Sequence, residues 1–466
     1  MDNPSKRLLL FTNKLGYQTR SFEEAARKHG AEIIYVTDRC HQLEDPWGDR
    51  AIAAHFENPQ AAATTVIEAS HGKRMDGILA LGDQPVVAAA YTARGLGIPY
   101  NHPASVEACR SKLRMREVFR DAGLRTPWFR LISLDPLPEP AFLGISYPCV
   151  LKPLSLSASR GVIRANNREE FVAAAERIRR LLRSPAVRST REANLDRILV
   201  EGYIPGTEVA LEGLLTDGVL RTLVIFDKPD PLEGPYFEET IYTTPSRLTE
   251  SLQHAIRKCA EECARAVGLT HGPVHAEFRI NTEAMEGAEA AGGAEAVEDE
   301  AVWSLEIAAR PIGGLCARAL RFVPQSGQNE DQNEDKGERA SIGLEELLFR
   351  HALNLPDSDW VRERQASGVM MIPVPNSGTL ERVEGEQAAR EIPGIAELIV
   401  SARLHDYIEA WPEGSSYMGF LFAKAETPED VEKALRGAHA ELRFTLTPRL
   451  PVRHPIDNTS AQSAEP

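Results

Sequence analysis

From residue 7 onward the chain alternates short apolar runs with longer segments in which apolar and polar positions mix at helical spacing. Leu8-Leu9-Leu10-Phe11 is followed by Ser21 to Lys28, ending at Gly30, and then by Ile33-Ile34-Tyr35-Val36. Pro59 to Ser70 reads as a helix, Gly77-Ile78-Leu79-Ala80-Leu81 as a strand and Pro85 to Leu96 as a helix. Continuous apolar strands between amphipathic segments are what a parallel sheet covered by helices requires, because such strands are buried on both faces. Residues 1–104 are therefore predicted to form an open α/β domain. No G-x-G-x-x-G follows the first strand, which disfavours a dinucleotide-binding version.

Over residues 105–325 the strands change character and carry single charged residues among apolar ones. This unit is interrupted by Glu283 to Val297, an Ala/Gly/Glu-rich stretch within an acidic loop at 282–300. With almost no large apolar side chains it cannot offset its ordering entropy, and it is expected to be mobile. The tandem Gln328-Asn329-Glu330-Asp331 and Gln332-Asn333-Glu334-Asp335 marks a low-complexity segment at 326–340. A third, α+β region is expected over 341–456, with a helix from Leu344 to Ala352, strands at Val369 to Val374 and Gly419 to Ala423, and a helix from Pro428 to Glu441. The Ser/Ala/Pro-rich tail at 457–466 is expected to be disordered.

The length of 466 residues suits about three domains. Hydrophobic residues at 42% and charged residues at 26% exclude collagenous and wholly disordered classes. No apolar run approaches the ~20 residues that span a bilayer, and Leu8 to Phe11 is too brief for a secretion signal. A soluble cytoplasmic protein without membrane association is expected. The net charge of −15 argues against nucleic acid as a partner. Segment 282–300 has seven acidic residues and no basic one, and 325–339 has five against two, so together they carry −10 of that charge. The loop reads either as a solvated tip or as a regulatory or partner-binding element. The six cysteines show no CxxC pair and no zinc-finger spacing, and they read as buried thiols.

The strongest chemical constellation begins at Tyr147-Pro148-Cys149-Val150-Leu151-Lys152-Pro153, a short apolar strand ending in a lysine, which runs into Leu154-Ser155-Leu156-Ser157-Ala158-Ser159-Arg160-Gly161-Val162. Small side chains let backbone N–H groups approach anionic oxygens while an ammonium adds a point charge, so this suits a phosphate. A flexible hairpin with a chance lysine is the alternative. Downstream, Ile198 to Gly206 is a strand entering a turn, and Thr207 to Gly213 is another strand bearing acid. Pro273 to Phe278 and Trp303 to Pro311 each place a glutamate in an apolar strand. Ionised carboxylates are costly to bury unless paired or bound to a cation. Singly each glutamate fits a solvent-facing position; two converging would hold a hard divalent cation, such as magnesium carried by nucleotide phosphates. Pro311-Ile312-Gly313-Gly314 reads either as a pocket of backbone amides for an oxyanion or carboxylate, or as a plain tight turn.

In these features the sequence resembles the ATP-grasp superfamily, and within it the amino-acid ligases that join a carboxylate to an amine. The run Gly97-Ile98-Pro99-Tyr100-Asn101 through Ser111-Lys112 to Gly123-Leu124-Arg125-Thr126-Pro127 is similar to the family's entry segment, and the C-terminal region looks like the terminal domain of L-amino acid ligases. The resemblance covers nearly the whole chain. It implies an α/β class with an α+β core: an ATP-grasp fold preceded by an open parallel-sheet domain and followed by an α+β domain. By that likeness Lys112 and Lys152 hold the triphosphate of ATP, and 155–162, with Ser157, Ser159 and its single glycine Gly161, is the mobile lid. Glu201 accepts from the adenine amino group with the Tyr203-Ile204 backbone beside the base, and Glu208, seven residues on, binds the ribose hydroxyls. Glu277 and Glu306 are the ligands of Mg2+, with Mn2+ as a substitute. Arg310 contacts the transferred phosphoryl group or the acyl intermediate, and His275 faces the substrate pocket.

Two departures from the family pattern are visible. Where many relatives read Glu-x-Asn, this chain reads Glu306-Ile307-Ala308, so either a water replaces the amide or only one ion binds tightly. The separation of 29 positions from Glu277 to Glu306 exceeds the usual hairpin, and the acidic loop accounts for the excess. The implied reaction is ATP-dependent amide formation between small-molecule carboxylate and amine substrates, amino acids by resemblance, through an acyl phosphate. No side-chain nucleophile is needed, in agreement with the lack of a Ser/His/Asp or Cys/His arrangement. A biotin-carboxylase-like carboxylating enzyme and an ATP-binding module without turnover are the alternatives. Dimers are common among the proteins it resembles, which leaves the oligomeric state open with a homodimer as one outcome.

Overall fold

The computed structural model describes residues 5–13, 17–38, 50–135, 144–281, 299–325 and 341–448. The expectations for Glu283 to Val297, for 326–340 and for the tail lie outside these residues, as does Cys40.

The chain opens with β1 (Arg7–Thr12), β2 (Glu32–Thr37), β3 (Ala51–Ala53) and β4 (Gly77–Leu81), which form an all-parallel sheet in the order β3-β2-β1-β4. Leu8 to Phe11 are completely buried, as a parallel strand covered on both faces must be. The covering helices include α1 (Tyr17–Lys28), α2 (Pro59–Ala69) and α3 (Pro85–Leu96). Both α2 and α3 start on a proline, whose missing N–H costs nothing in a first turn, and α3 ends at Gly97 in the left-handed region. Helix α1 starts four residues before the expected Ser21, and the three-residue β3 was not foreseen. Two short helices follow, α4 (Pro103–Arg110) and α5 (Lys112–Asp121), the second capped by the Ser111 side chain on Arg114 N.

The next sheet is small and antiparallel: β5 (Phe129–Ser133), β6 (Cys149–Pro153), β7 (Ile163–Ala165) and β8 (Arg197–Gly202), in the order β5-β8-β6-β7. It is backed by α6 (Arg168–Arg183) and α7 (Pro185–Arg188). The chain then enters a larger sheet through β9 (Thr207–Thr216), β10 (Val219–Asp227), β11 (Ile241–Thr244), β12 (Gly272–Ile280) and β13 (Val302–Ala308). Helix α8 (Glu250–Val267) covers it with an apolar stripe that includes Ile256, Ala260 and Cys263.

The C-terminal region does not build an independent sheet core. After β14 (Phe322–Pro324), α9 (Leu344–Ala352) and β15 (Trp360–Arg362), strand β16 (Ala366–Ile372) pairs with β11. Of the rest, β17 (Gly378–Glu384), β18 (Ile395–Val400), β19 (Tyr407–Ile408), β20 (Gly419–Ala425) and β21 (Arg443–Thr447), strands β20 and β18 complete an eight-stranded sheet ordered β13-β12-β9-β10-β11-β16-β20-β18. Strands β19, β17 and β21 make a three-stranded sheet, beside α10 (Glu386–Glu391) and α11 (Pro428–Glu441). One apolar cluster joins Leu8 and Leu10 of β1 to Ala210 of β9, Val369 of β16 and Phe422 of β20, so all three regions share a core. Among the described residues no helix is long and apolar enough to cross a membrane. Cys109, Cys149, Cys263 and Cys316 are buried and Cys259 is half-buried.

Candidate active site

The site lies where the small sheet faces the large one. Across β6 and β8 the register pairs Val150 with Glu201, which puts Val150, Lys152 and Glu201 on one face of the small sheet. Lys152 Nζ lies 2.6 Å from Glu201 Oε2, and Arg116 of α5 donates from Nε to Glu201 Oε1 at 2.7 Å. Glu201 is 2% exposed. Burial alone would raise its pKa, but the two cations outweigh burial and bring it down to about 2. Glu201, predicted at the adenine amino group, thus has Lys152 on one carboxylate oxygen and Arg116 on the other.

The loop after β6 folds into a turn. Ala158, Ser159 and Gly161 all have positive φ, and a Cβ on Gly161 would stand 2.8 Å from Pro153 Cγ. The Ser157 and Ser159 carbonyls accept from the amides of Arg160 and Val162 inside the turn. Lys112 Nζ, at the start of α5, donates to Leu156 O at 2.7 Å, which brings both predicted triphosphate lysines to this loop. The other flank of the loop touches the C-terminal region. Gly161 N donates to Pro412 O at 2.8 Å and Arg160 Nε to Glu413 O at 2.7 Å, while Arg177 of α6 grips the Glu413 carboxylate at 2.5 and 2.8 Å.

The large sheet contributes the acids. Glu277 of β12 and Glu306 of β13 are register partners, and a bulge follows immediately, with Phe278 opposite Ser304 and Leu305 extra. Lys228, just past β10, is buried among three carboxylates, its Nζ lying 2.7 Å from Glu208, 2.6 Å from Glu239 and 2.9 Å from Glu277. Burial opposes its charge, yet these acids hold its pKa well above the ordinary value. Glu239 moves the other way: burial and the neighbouring acids raise its carboxyl to about 7. Oxygens of Glu208, Glu239 and Glu277 lie within 4.8 Å of one another.

His275 stands two residues before Glu277 on the same face, with Glu212 on one ring nitrogen and Glu277 Oε1 3.5 Å from the other. Although burial disfavours its charge, the two acids raise its pKa to about 10. Glu212 also accepts from Ile312 N at 3.1 Å, so the Pro311–Gly314 turn is tied to this chain of groups. Ala308 is the register partner of His275.

Two further predicted residues are ion-paired. Glu208, predicted at the ribose, already accepts from Lys228 and, at 3.3 Å, from Arg279 Nε. Arg310, predicted at the transferred phosphoryl group, is paired with Asp83 of the first domain, Nε to Oδ1 at 2.5 Å and Nη2 to Oδ2 at 3.3 Å. In both cases a buried charge has taken the nearest counter-charge, as low-dielectric surroundings require. The Tyr203-Ile204 backbone is likewise engaged, Tyr203 N with Pro148 O at 3.1 Å and Ile204 O with Arg279 Nη1 at 2.8 Å. Beside it Val150, Val162, Leu232 and Phe237 form a small apolar cluster against Tyr203.

Asp83, Arg116, Glu212, Lys228, Glu239 and Arg279 escaped the sequence reading. Lys228 was within its reach, because it ends an apolar strand as Lys152 does.

Comparisons with known proteins agree with this architecture. A model of the ATP-grasp domain matches residues 145–318, one of the ATP-grasp N-terminal domain matches 22–100, and one of the L-amino acid ligase C-terminal domain 2 matches 370–447. An L-amino acid ligase from Bacillus licheniformis superposes with a TM-score of 0.73 at 23% identity, over 96% of this chain and 100% of that one. An uncharacterized protein of Sinorhizobium fredii is 23% identical over 96% of this chain and 84% of its own length. Alanine–anticapsin ligase of Bacillus subtilis is 28% identical over 200 residues, 40% of each protein. The chain belongs to the ATP-grasp superfamily and is related to its L-amino acid ligases. It is an ATP-dependent ligase of the carbon–nitrogen bond-forming kind.

Proposed function

We propose that the protein joins the carboxylate of one amino acid to the amine of another, using ATP and releasing ADP and phosphate. The observation that carries this reading is the run of contacts from Lys152 through Glu201 and Arg116 to the Ser304 and Leu305 carbonyls beside Glu306, with Lys112 on the carbonyl of Leu156 in the loop after β6. A carboxylate must approach the γ-phosphate of a triphosphate against strong repulsion, so the site has to neutralise charge before it does anything else. In this reading Lys112 and Lys152 take the triphosphate oxygens, and the apolar cluster of Val150, Val162, Leu232 and Phe237 takes the base. Tyr203 and Ile204 edge the same slot. Ser157, Ser159 and Gly161 line the turn over the phosphates.

The donor set fits Mg2+ or Mn2+. Glu277 and Glu306 offer hard carboxylate oxygens on facing strands, with Glu208 and Glu239 beside Glu277 and no thiolate among them. The ion supplies charge neutralisation on the phosphate oxygens and alignment of the transferred group. Lys228, held by three acids, would add a further ammonium for the phosphoryl oxygens. The substrate carboxylate attacks the γ-phosphorus, ADP leaves, and the amine then displaces phosphate from the acyl phosphate to form the amide. Arg310, oriented by Asp83, and the Glu212–His275–Glu277 line border the space left for the substrates.

The test is ADP release by the purified protein over a panel of amino-acid pairs with Mg2+, with mass spectrometry of the products. A dipeptide mass that depends on both amino acids and on ATP supports the reading. ATP binding without ADP release from any pair would instead favour a binding module, and bicarbonate-dependent ADP release without a condensed product would favour a carboxylating enzyme.

A further inference from the structure

Arg116 has the largest side chain of those fully buried in the described residues, at 1% exposure, and no step of the proposed reaction uses it. Its guanidinium points two ways. Toward the small sheet it forks onto Glu201, Nε to Oε1 at 2.7 Å and Nη2 to Oε2 at 3.3 Å, and Glu201 holds Lys152. Toward the large sheet it donates from Nη1 to Ser304 O at 3.2 Å and from Nη2 to Leu305 O at 2.8 Å.

Those two carbonyls belong to the bulge in β13. The register passes from Glu277–Glu306 to Phe278–Ser304, so Leu305 is the residue without a partner on β12. A bulge removes backbone groups from the ladder and turns the following side chain, and buried backbone groups must find partners elsewhere. Adjacent residues of α5 provide them. Arg116 takes the Ser304 and Leu305 carbonyls, and Met115 Sδ accepts from Ile307 N at 3.4 Å. Glu306 lies between the groups so held.

We infer that Arg116 is a positioning residue, fixing the bulge that aims Glu306 across from Glu277 and, through Glu201, setting the place of Lys152 on the opposite sheet. One rigid, planar side chain thereby sets the distance between the metal-binding acids and the phosphate lysine. The inference rests on the proposed nucleotide and metal roles of those residues, not on the identity of the amino acids joined. A lysine at 116 keeps the charge but offers one ammonium where a fork is needed.

The experiment is a Mg2+ titration of the binding of a non-hydrolysable ATP analogue, made on Arg116→Lys, Glu201→Gln and Met115→Leu, with thermal melting of each variant. Arg116→Lys is expected to raise the Mg2+ midpoint and weaken analogue binding, each by about tenfold, the usual effect of losing a group that orients ligands. Glu201→Gln is expected to weaken analogue binding with the Mg2+ midpoint unchanged, because the contacts to Ser304 and Leu305 remain. Met115→Leu is expected to move the Mg2+ midpoint alone. A folded Arg116→Lys protein with a lowered melting temperature but wild-type midpoint and affinity would reduce Arg116 to a structural residue. If that variant does not fold, wild-type values for both Met115→Leu and Glu201→Gln overturn the inference. Because analogue binding needs no second substrate, these outcomes remain readable even if the wild type releases no ADP with any amino-acid pair.

Discussion

Glu277 and Glu306 face each other as register partners of adjacent antiparallel strands, which places their Cβ atoms about 5 Å apart. Two like charges in this arrangement repel. Glu277 nonetheless has a pKa well below the ordinary carboxyl value: burial raises it, but Lys228 and His275 prevail. Removing Glu306 relieves repulsion and leaves Glu277 its partners. Glu306→Ala is thus expected to melt no lower than the wild type while ADP release falls at least about a hundredfold, since a group needed only around the cation has gone. Melting curves and ADP assays on the same preparation check both halves, and a variant with the wild-type rate would remove Glu306 from the site.

The turn over the phosphates is pinned to the C-terminal region by Glu413. Its carboxylate meets Arg177 in a bidentate pair whose side chains are roughly one-third exposed, so solvent screening leaves it worth about 0.5–1 kcal/mol. Glu413→Ala is expected to loosen residues 155–162, raising KM for ATP by about two- to fivefold at nearly constant kcat. Hydrogen exchange in that loop should rise in parallel. Arg177→Ala should reproduce the effect, and the double variant should add little to either single one. Independent, additive effects would mean that the pair does not restrain the turn.

What the sequence reveals follows from how local each cause is. Pro85–Leu96, Leu344–Ala352 and Pro428–Glu441 fold with the boundaries expected. For the first and last the signals sit in the chain itself, a proline in the first turn with Gly97 closing one and Thr427 capping the other. The strands missed near the C-terminus, such as Arg443–Thr447 with its alternating exposed and half-buried positions, are short and polar and gain their stability from partners elsewhere in the chain. The same division runs through the site. Lys152, Glu277 and Glu306 interrupt apolar strands and can be seen there. Arg116 meets Glu201 across 85 residues and Asp83 meets Arg310 across 227, and no local pattern encodes such pairs. The counter-charges of Glu201, Glu208 and Arg310 come from residues distant in sequence, and so lie outside any local pattern.

Asp83 ties the turn after β4 to Arg310, whose side chain is only 13% exposed. Burial raises the Asp83 pKa, but the guanidinium overrides it and holds the carboxyl below its usual range. Asp83→Asn keeps the shape and removes the charge, freeing Arg310 to turn toward Glu306 or Glu212, whose charges it also feels. The expected result is a kcat lowered by about tenfold with KM for ATP nearly unchanged, because Asp83 accepts hydrogen bonds from Arg310 whereas Lys112 feels its charge without a hydrogen bond to it. Steady-state kinetics at saturating amino acids measures it. Equal loss in kcat and ATP affinity would place Asp83 in nucleotide binding.

A second pair of residues makes stability depend on pH well away from the site. His351 of α9 packs against His271 with ring centroids 4.6 Å apart and planes tilted by 34°, and meets Thr216 Oγ1 at 2.9 Å. Burial first, then the neighbouring His271 and Arg221, lowers the His351 pKa from 6.5 to about 4. Because the folded value lies below the unfolded one, the unfolded chain binds the extra proton between these limits. The stabilisation is whole above pH 6.5 and is lost as pH falls toward 4, in total roughly 3 kcal/mol for a shift of this size. His271, lowered mainly by burial, pulls in the same direction. Urea unfolding at pH 7.5 and 5 should therefore show a loss in the wild type that shrinks in His351→Gln, which retains a hydrogen-bonding group for Thr216. An equal loss in both proteins would mean that other groups govern the acid limb.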